Sequence, residues 1–509
     1  MTDLRSSTVD AILRRTARRY PNVTAIVFDE RSWTYSELDD MVTRAAHALL
    51  SRGLVHGDRV ATYGRNSDAY LVAFLACSRA GLVHVPVNYA LTGEELRYLI
   101  DDSGAALVLV DPDLATYVSA ASSVAHSPLH GGPDGLLESS TTGAVPVVDI
   151  EIADTDLVQL LYTSGTTSRP KGAMMSHRAL IHEYFSSIEA LDYARDDNPL
   201  HAMPLYHSAG MHVLMMPYIA IGATNRLIKA PDVPTVLRLI ESERIGSIFL
   251  APTVWVPLSQ HPDLATRDLS SLRKAIYGAS IMPLPVLARL QERLPDLGFY
   301  NAFGQSEIGP LATVLRPEGH AARPASCGLP VLNVELRVVD TDGNDVAPGD
   351  SGEVVYRSPQ LCDGYWNNPT ATAEAFRDGW FHSGDLVTID EEGYVTVVDR
   401  IKDVVNTGGI LVASREVEDA LYTHPAVAEV AVIGVPDEKW IEAIAAFVVR
   451  SGEVEEAELI AHTREQLAGY KVPKQIHFVE SLPRNASGKL LKREIRRNVL
   501  DAPVGEVAR

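Results

Sequence analysis

From Thr34 onward, short apolar runs of strand length alternate with stretches whose apolar residues recur at helical spacing, the pattern of an α/β protein. Leu38, Met41, Val42, Ala45, Ala46 and Leu49 share one helix face. Thr34 and Glu37 spell a capping box ahead of that face, and Gly53 stands where a helix-ending residue belongs. The next unit repeats the plan: a strand at 59–63, a helix over 67–80, a strand at 83–87, a second capping box from Thr92 to Glu95, and a strand at 106–110. Further strand and helix pairs are predicted at 157–162 with 177–190, 247–250 with 253–260, and 274–277 with 284–293.

Two stretches break the rhythm. Residues 119–147 are rich in Ser, Gly, Thr and Pro without a period, and are expected to form a surface loop between lobes. From 340 to 398 the texture changes to short strands punctuated by polar turns at 340–345 and 390–394, which predicts hairpins. After Arg400 a helix at 415–423, strands near 427–435 and 443–449, a helix at 455–467 and a strand at 476–480 form a compact α+β module. The fold expected is therefore α/β, with a large N-terminal domain of α/β lobes plus a small β-rich lobe over 1–399. A small, movable α+β C-terminal domain follows over 403–509.

Length and charge narrow the function classes. A chain of 509 residues is long enough for several domains with real cores. A formal charge of −21 argues against a nucleic-acid or anionic-membrane binder, both of which need a basic face. That balance also looks awkward for a phosphate ligand, but it is uneven: residues 400–509 hold 15 Lys/Arg against 17 Asp/Glu, so the acidity belongs to the N-terminal part. Cys77, Cys327 and Cys362 lack disulfide or zinc spacing and are expected in cores or pocket walls. No signal-peptide core and no membrane-spanning apolar run is evident, so a cytoplasmic protein without an integral membrane segment is expected.

The strongest local signal runs from Leu160 to Gly172. An apolar strand enters a loop crowded with hydroxyls and glycines, Thr163, Ser164, Gly165, Thr166 and Thr167, which carries Lys171 and leads to a helix capped by Ser176. Hydroxyl and backbone N–H donors of this kind suit polyphosphate oxygens. It is not a Walker loop, since Pro170 precedes the lysine and no Ser or Thr follows Lys171-Gly172.

That segment resembles the phosphate loop of the adenylate-forming superfamily, which includes acyl-CoA and aryl-CoA synthetases, luciferases and peptide-synthetase adenylation domains. Further matches follow in the family's order: Trp33 to Leu38, Tyr300 to Glu307, Trp380 to Leu386, Asp399 to Asp403, and Pro483 to Lys489. The resemblance covers essentially the whole chain. It implies activation of a carboxylic acid by ATP and Mg²⁺ to an acyl-adenylate, then transfer of the acyl group to the thiol of coenzyme A.

The resemblance also implies roles. Thr163, Ser164, Gly165, Thr166, Thr167 and Lys171 would handle the leaving phosphates, and Glu307 would be the Mg²⁺ ligand. Gly278, Ala279 and Ser280 with Asn301, Ala302, Phe303, Gly304, Gln305 and Ser306 would flank adenine and acyl group; Asp385, Val397 and Arg400 would complete the nucleotide site at the ribose. Lys489 would be the catalytic lysine of the adenylation step, a compact ammonium offsetting transition-state charge. Residues 400–402, with Lys402 as pivot, would form the hinge. Thr407, Gly408 and Gly409 would line the pantetheine tunnel, with Lys471 in the basic 469–497 segment toward CoA phosphates. His207, counted with Lys489 and Glu307 among the catalytic residues, would wall the acyl pocket together with Trp255, Val256, Gly278, Gly304, Gly309, Pro310 and Leu311, and the absence of a residue among the latter that could pair with a second carboxylate points to an apolar or aromatic monoacid.

Some positions depart from the family pattern. Ile410-Leu411-Val412-Ala413-Ser414 follows the double glycine where relatives carry polar residues, Ile441 follows Trp440 where Gly is common, and Ser306 stands where a Thr precedes the motif glutamate. These leave open a relative performing one half-reaction, or one passing the acyl group to a carrier protein or an amine; a non-catalytic nucleotide binder is the remaining alternative. The expected partners are the acid, ATP and CoA, with a homodimer as the candidate assembly.

Overall fold

A computed structural model describes residues 7–163, 169–280, 282–407, 410–437, 440–484 and 490–501. Two largely parallel sheets form the N-terminal scaffold. The first has six strands in the order His126–Pro128, Ala105–Val110, Arg59–Tyr63, Val83–Val87, Leu157–Thr163 and Lys171–Ser176, parallel except for the last. The second has nine, running from Leu329–Pro330 through Leu311–Leu315, Gly298–Gly304, Lys274–Gly278, Ser247–Leu250, Pro199–His201, Asn225–Leu227 and Thr24–Phe28 to Arg31–Thr34, with antiparallel pairs only at its two ends. Strands such as Val83–Val87 and Ser247–Leu250 are buried at every residue, so that even His84 and Ser247 within them are enclosed.

The helix Asp68–Arg79 is buried at all of its positions. Its terminal charges survive there because Asp68 takes the Arg31 guanidinium and the Trp33 indole N–H, while Arg79 pairs with Asp10 and Asp39. The capping box at Thr34 and Glu37 forms as expected and opens the helix Tyr35–Ser51. The one at Thr92 does not: Gly93 enters its helix at φ +53, outside helical geometry, and the Thr92 side chain caps nothing.

The loop expected at 119–147 is partly ordered. It holds the edge strand His126–Pro128 and the helix Leu136–Ser140, and Leu129, Leu136 and Leu137 are buried in the core. The segment Lys171–Ser176, expected as a loop running into a helix, is a strand paired antiparallel with Leu157–Thr163.

A third sheet contains Glu335–Val339, Ser351–Arg357, Trp380–Ile389, Phe376–Arg377 and Val395–Arg400, its hairpins turning at the predicted polar positions. The fourth belongs to the smaller C-terminal domain and contains Ile410–Val412, Val405–Thr407, Ile441–Arg450, Val427–Asp437 and Gln475–Phe478. The helices Ser414–Tyr422, Glu456–Gln466 and Lys492–Asp501 cover it, the last of them and the hairpin 405–412 being elements the apolar pattern did not announce. Among the described residues no helix is long and apolar enough to cross a membrane, and the three cysteines are free and buried.

Candidate active site

The parallel strands Lys274–Gly278 and Gly298–Gly304 lie side by side and end at the same level, so the segments after them meet at the carboxyl edge of the sheet, where α/β proteins place ligands. Gly278 is required there, because a Cβ would come within 2.2 Å of the Ala302 carbonyl oxygen. Gly304 is required likewise, its Cβ position lying 1.9 Å from the Pro310 carbonyl oxygen. These close approaches give the two loops their shape.

The loops open onto a cleft of about 1690 Å³, which also reaches Thr163, Lys171, His207, Val256, Asp385, Val397, Arg400 and Lys402. A pocket for one small ligand spans roughly 300–1,000 Å³, so this cleft has room for a nucleotide together with an acyl group. It brings together Ala279, Ser280, Asn301, Phe303, Gln305, Ser306 and Pro310 as well. Asn301 is held by its side-chain amide, which donates to the Ser326 carbonyl at 2.9 Å.

Glu307 is 7% exposed and its carboxylate oxygen Oε1 accepts from the Thr163 hydroxyl at 3.2 Å and the Tyr365 hydroxyl at 3.0 Å. The Lys171 ammonium sits 5.1 Å above the Tyr365 ring. Burial beside Glu307 pushes the Tyr365 phenol up, so it remains a hydrogen-bond donor to the carboxylate. Tyr365 was missed in the sequence because it lies in no motif and its role arises only through contact. Among the described residues no cluster of three or more metal-ligating side chains exists. A buried carboxylate beside a hydroxyl suits a hard cation shared with phosphates, which needs only one or two protein carboxylates.

Across the cleft Asp385 is 5% exposed, with the Arg400 Nε 3.4 Å from its Oδ1. The adjacent Asp399 turns the other way. One of its oxygens accepts from both the backbone N–H and the hydroxyl of Ser414, at 2.7 and 2.6 Å, at the start of the helix Ser414–Tyr422. Lys492 donates to the same hydroxyl at 2.5 Å and pairs with Glu418 at 2.8 Å. This interdomain cluster also escaped the sequence reading.

His207 precedes a π-helical turn, Ala209–Met215, and its Nδ1 accepts from the Ala209 N–H at 3.2 Å, which puts the neutral ring's hydrogen on Nε2. Behind this turn runs a buried polar chain. The Tyr184 hydroxyl donates to His212 Nδ1 at 2.9 Å, His212 Nε2 to Gln159 Oε1 at 2.7 Å, Gln159 Nε2 to His84 Nδ1 at 3.0 Å and His84 Nε2 to Thr62 at 3.1 Å. With both imidazoles neutral in these tautomers, every link has one donor and one acceptor.

Two expected wall residues stand back from the cleft. Trp255 is 1% exposed, packs edge-on against Phe299 and donates its indole N–H to the Ile276 carbonyl, so it supports the wall from the core. Gly309 packs against Glu183, where a Cβ would lie 2.9 Å from Cγ. In their place Phe249, Thr253, Met282 and Val286 line the cleft, and so does Arg289, a cation the sequence reading did not name. Arg289 donates to the Ser259 hydroxyl at 3.4 Å, and no carboxylate among the described residues pairs with it.

Ser164, Gly165, Thr166, Thr167, Gly408, Gly409 and Lys489 lie outside the described residues. Thr407 is 3% exposed. Lys471 is not at the cleft; both oxygens of Glu416 hold its ammonium, at 2.6 and 2.7 Å. Arg484 is likewise paired with Glu429 and Arg496 with Asp403, so much of the basic 469–497 segment is neutralised within the domain.

Comparison with known proteins gives the same outline. The family model "AMP-binding enzyme" matches residues 13–366 and "AMP-binding enzyme C-terminal domain" matches 416–489. Feruloyl-CoA synthase of an Amycolatopsis species is 39% identical over 485 residues, 95% of this chain and 97% of its own. The crystal structure of ATP-bound MatB from Rhodopseudomonas palustris superposes with a TM-score of 0.89 at 32% identity, covering 97% of this chain and 99% of that one. The amide bond synthetase McbA from Marinactinospora thermotolerans gives 0.87 at 29% identity, covering 96% and 99%. With both of its parts matched by the family's models, the chain belongs to the AMP-binding, adenylate-forming enzymes.

Proposed function

We propose that this protein is an AMP-forming ligase that joins an aromatic or largely apolar carboxylic acid to coenzyme A. The observation that carries the reading is a pair of half-sites lining one cleft, Glu307 with Thr163, Tyr365 and Lys171, and Asp385 with Arg400. A nucleoside triphosphate needs both a cation-bearing phosphate end and a carboxylate acceptor for vicinal hydroxyls.

In the first step the acid's carboxylate attacks the α-phosphorus, and pyrophosphate leaves. Lys171 and Thr163 receive the leaving phosphates, Asp385 takes the ribose hydroxyls, and Lys489 meets the charge developing at the α-phosphate. Glu307 and Thr163 would hold Mg²⁺, which supplies neutralisation of phosphate charge. In the second step the thiol of CoA attacks the acyl carbonyl and AMP leaves, after the C-terminal domain turns about 400–402. We place the reaction in the cytoplasm, where three free cysteines stay reduced.

The lining of Phe249, Val256, Met282, Val286 and Phe303 supports an aromatic or apolar acyl group, and the similarity to a feruloyl-CoA synthase supports an arylpropenoic acid. A second acceptor reading rests on Ile410 and Leu411, 47% and 68% exposed on the hairpin beside the expected tunnel. Such a surface suits an acceptor other than free CoA.

The test is a panel of carboxylic acids with ATP, Mg²⁺ and CoA, with adenylate and thioester detected separately by mass spectrometry. Both products are expected from an arylpropenoic acid, and Lys489→Ala should abolish AMP release. Adenylate without thioester would move the acceptor to a carrier protein or an amine. Full AMP formation in the variant would remove Lys489 from the first step.

A further inference from the structure

The strands Leu157–Thr163 and Lys171–Ser176 form an antiparallel ladder whose last rung pairs Thr163 with Lys171 and whose next pairs Tyr162 with Gly172. The last rung carries both of the phosphate-facing side chains. Its outer side is braced by one helix, Gly93–Ser103. Tyr98 donates its hydroxyl to the Pro170 carbonyl at 3.0 Å, and the Arg169 guanidinium lies 5.0 Å over the Tyr98 ring. One turn later Asp102 accepts the Tyr162 hydroxyl at 2.6 Å, while its carbonyl accepts the Trp366 indole N–H at 3.1 Å. Residues four apart on a helix share a face, so the helix touches the entering and the leaving strand together.

We propose that Tyr98 and Asp102 are positioning residues that hold Thr163 and Lys171 in register for the triphosphate. Lysine and threonine side chains deliver charge and hydroxyl where their backbone is fixed. Gly172 is part of the device: a Cβ there would lie 3.1 Å from the Tyr162 ring, so its bareness lets the ring cross the ladder toward Asp102. The Trp366 backbone N–H closes the back by donating to the Gly172 carbonyl at 2.8 Å. The helix thus governs nucleotide affinity without contacting nucleotide. The proposal rests on the reading of the cleft as a nucleotide site.

The test measures ATP binding by titration calorimetry with Mg²⁺ present, alongside KM for ATP, acid and CoA, in the full chain. Tyr162→Phe and Tyr98→Phe keep ring shape and delete one hydroxyl each; Tyr98→Ala also removes the platform under Arg169. Losing a hydrogen bond to a charged group is worth about tenfold in affinity. Tyr162→Phe should therefore weaken ATP binding by about that factor, Tyr98→Ala by at least as much and Tyr98→Phe by less, with KM for acid and CoA unchanged. Folded Tyr162→Phe and Tyr98→Ala proteins that bind ATP like the parent would overturn the proposal, as would equal losses for ATP and acid, which mark general loosening. A parent protein that binds no ATP would overturn the nucleotide-site reading, and this proposal with it.

Discussion

His84 and His212 are wholly enclosed, and their hydrogen-bond partners Tyr184, Gln159 and Thr62 bring no negative charge to stabilise a second proton. Burial pushes both down to about 3, and His177 and His201 to about 4. The unfolded chain titrates these rings near the ordinary histidine value of about 6.5. Below that value the unfolded state takes up protons that the folded state refuses, so stability is full above about pH 7 and falls as pH drops toward 4. Denaturant midpoints measured from pH 8 to 5, above the carboxylate range, should be flat at first and then decline; a level profile down to pH 5 would contradict neutral buried rings. These histidines were invisible as a set in the sequence, being 128 positions apart from His84 to His212 and joined only through Gln159. Glu307 and Asp385 each sit in a contiguous motif and both line the cleft, whereas Tyr365 lies in no motif and reaches Glu307 through tertiary contact alone.

At the level of elements, the sequence showed which strands end at the cleft but misjudged the segment after one of them. Lys171–Ser176 contains Ala and Met residues that favour helix in isolation, yet its ladder with Leu157–Thr163 makes it a strand. Pairing between strands overrides local propensity, and a single chain does not reveal its partner. The helix Leu284–Arg293 was predicted with correct limits, but which residue it would turn toward the cleft was not. Beside Pro285 and Val286 it turns Arg289 there, which brings a guanidinium to the wall and donates to Ser259 of the helix Pro252–Gln260. An oxygen-bearing substituent at the outer end of the acid would meet it. Arg289→Met should lower kcat/KM for hydroxylated or methoxylated aromatic acids by about tenfold and leave the unsubstituted analogues alone. Equal kcat/KM ratios in parent and variant would remove Arg289 from substrate recognition.

On the scale of the whole molecule, charge is distributed differently from what the net value of −21 suggests. The C-terminal domain carries its share of cations, but Lys471, Arg484, Lys492 and Arg496 each face a carboxylate of that domain. The sequence could count them and place them near 469–497; it could not show that Glu416, more than fifty residues earlier, lies opposite Lys471. Across the join of the domains Asp399 meets Ser414, its carboxylate placed at a helix start where negative charge is favoured, and the Arg415 guanidinium donates to the Val397 carbonyl at 2.6 Å. Ser414→Ala deletes one donor to that carboxylate and the acceptor of Lys492, worth about 1–3 kcal/mol in a buried setting. Hydrogen exchange across 400–412 should accelerate in the variant while the core of the nine-stranded sheet stays protected, and unchanged exchange would show the contact to be idle.

The seating of Ser414 on Asp399 also bears on timing. Both donors engage one carboxylate oxygen, and Asp399 belongs to a strand fixed in the third sheet by its pairing with Leu386. In the reaction proposed above, a turn of the C-terminal domain about 400–402 requires both the hydroxyl and the amide of Ser414 to leave that oxygen. Under that proposal a two-donor contact favours a dwell in the present orientation over free drift, and the dwell bounds how long the cleft keeps its contents before the next reactant is admitted.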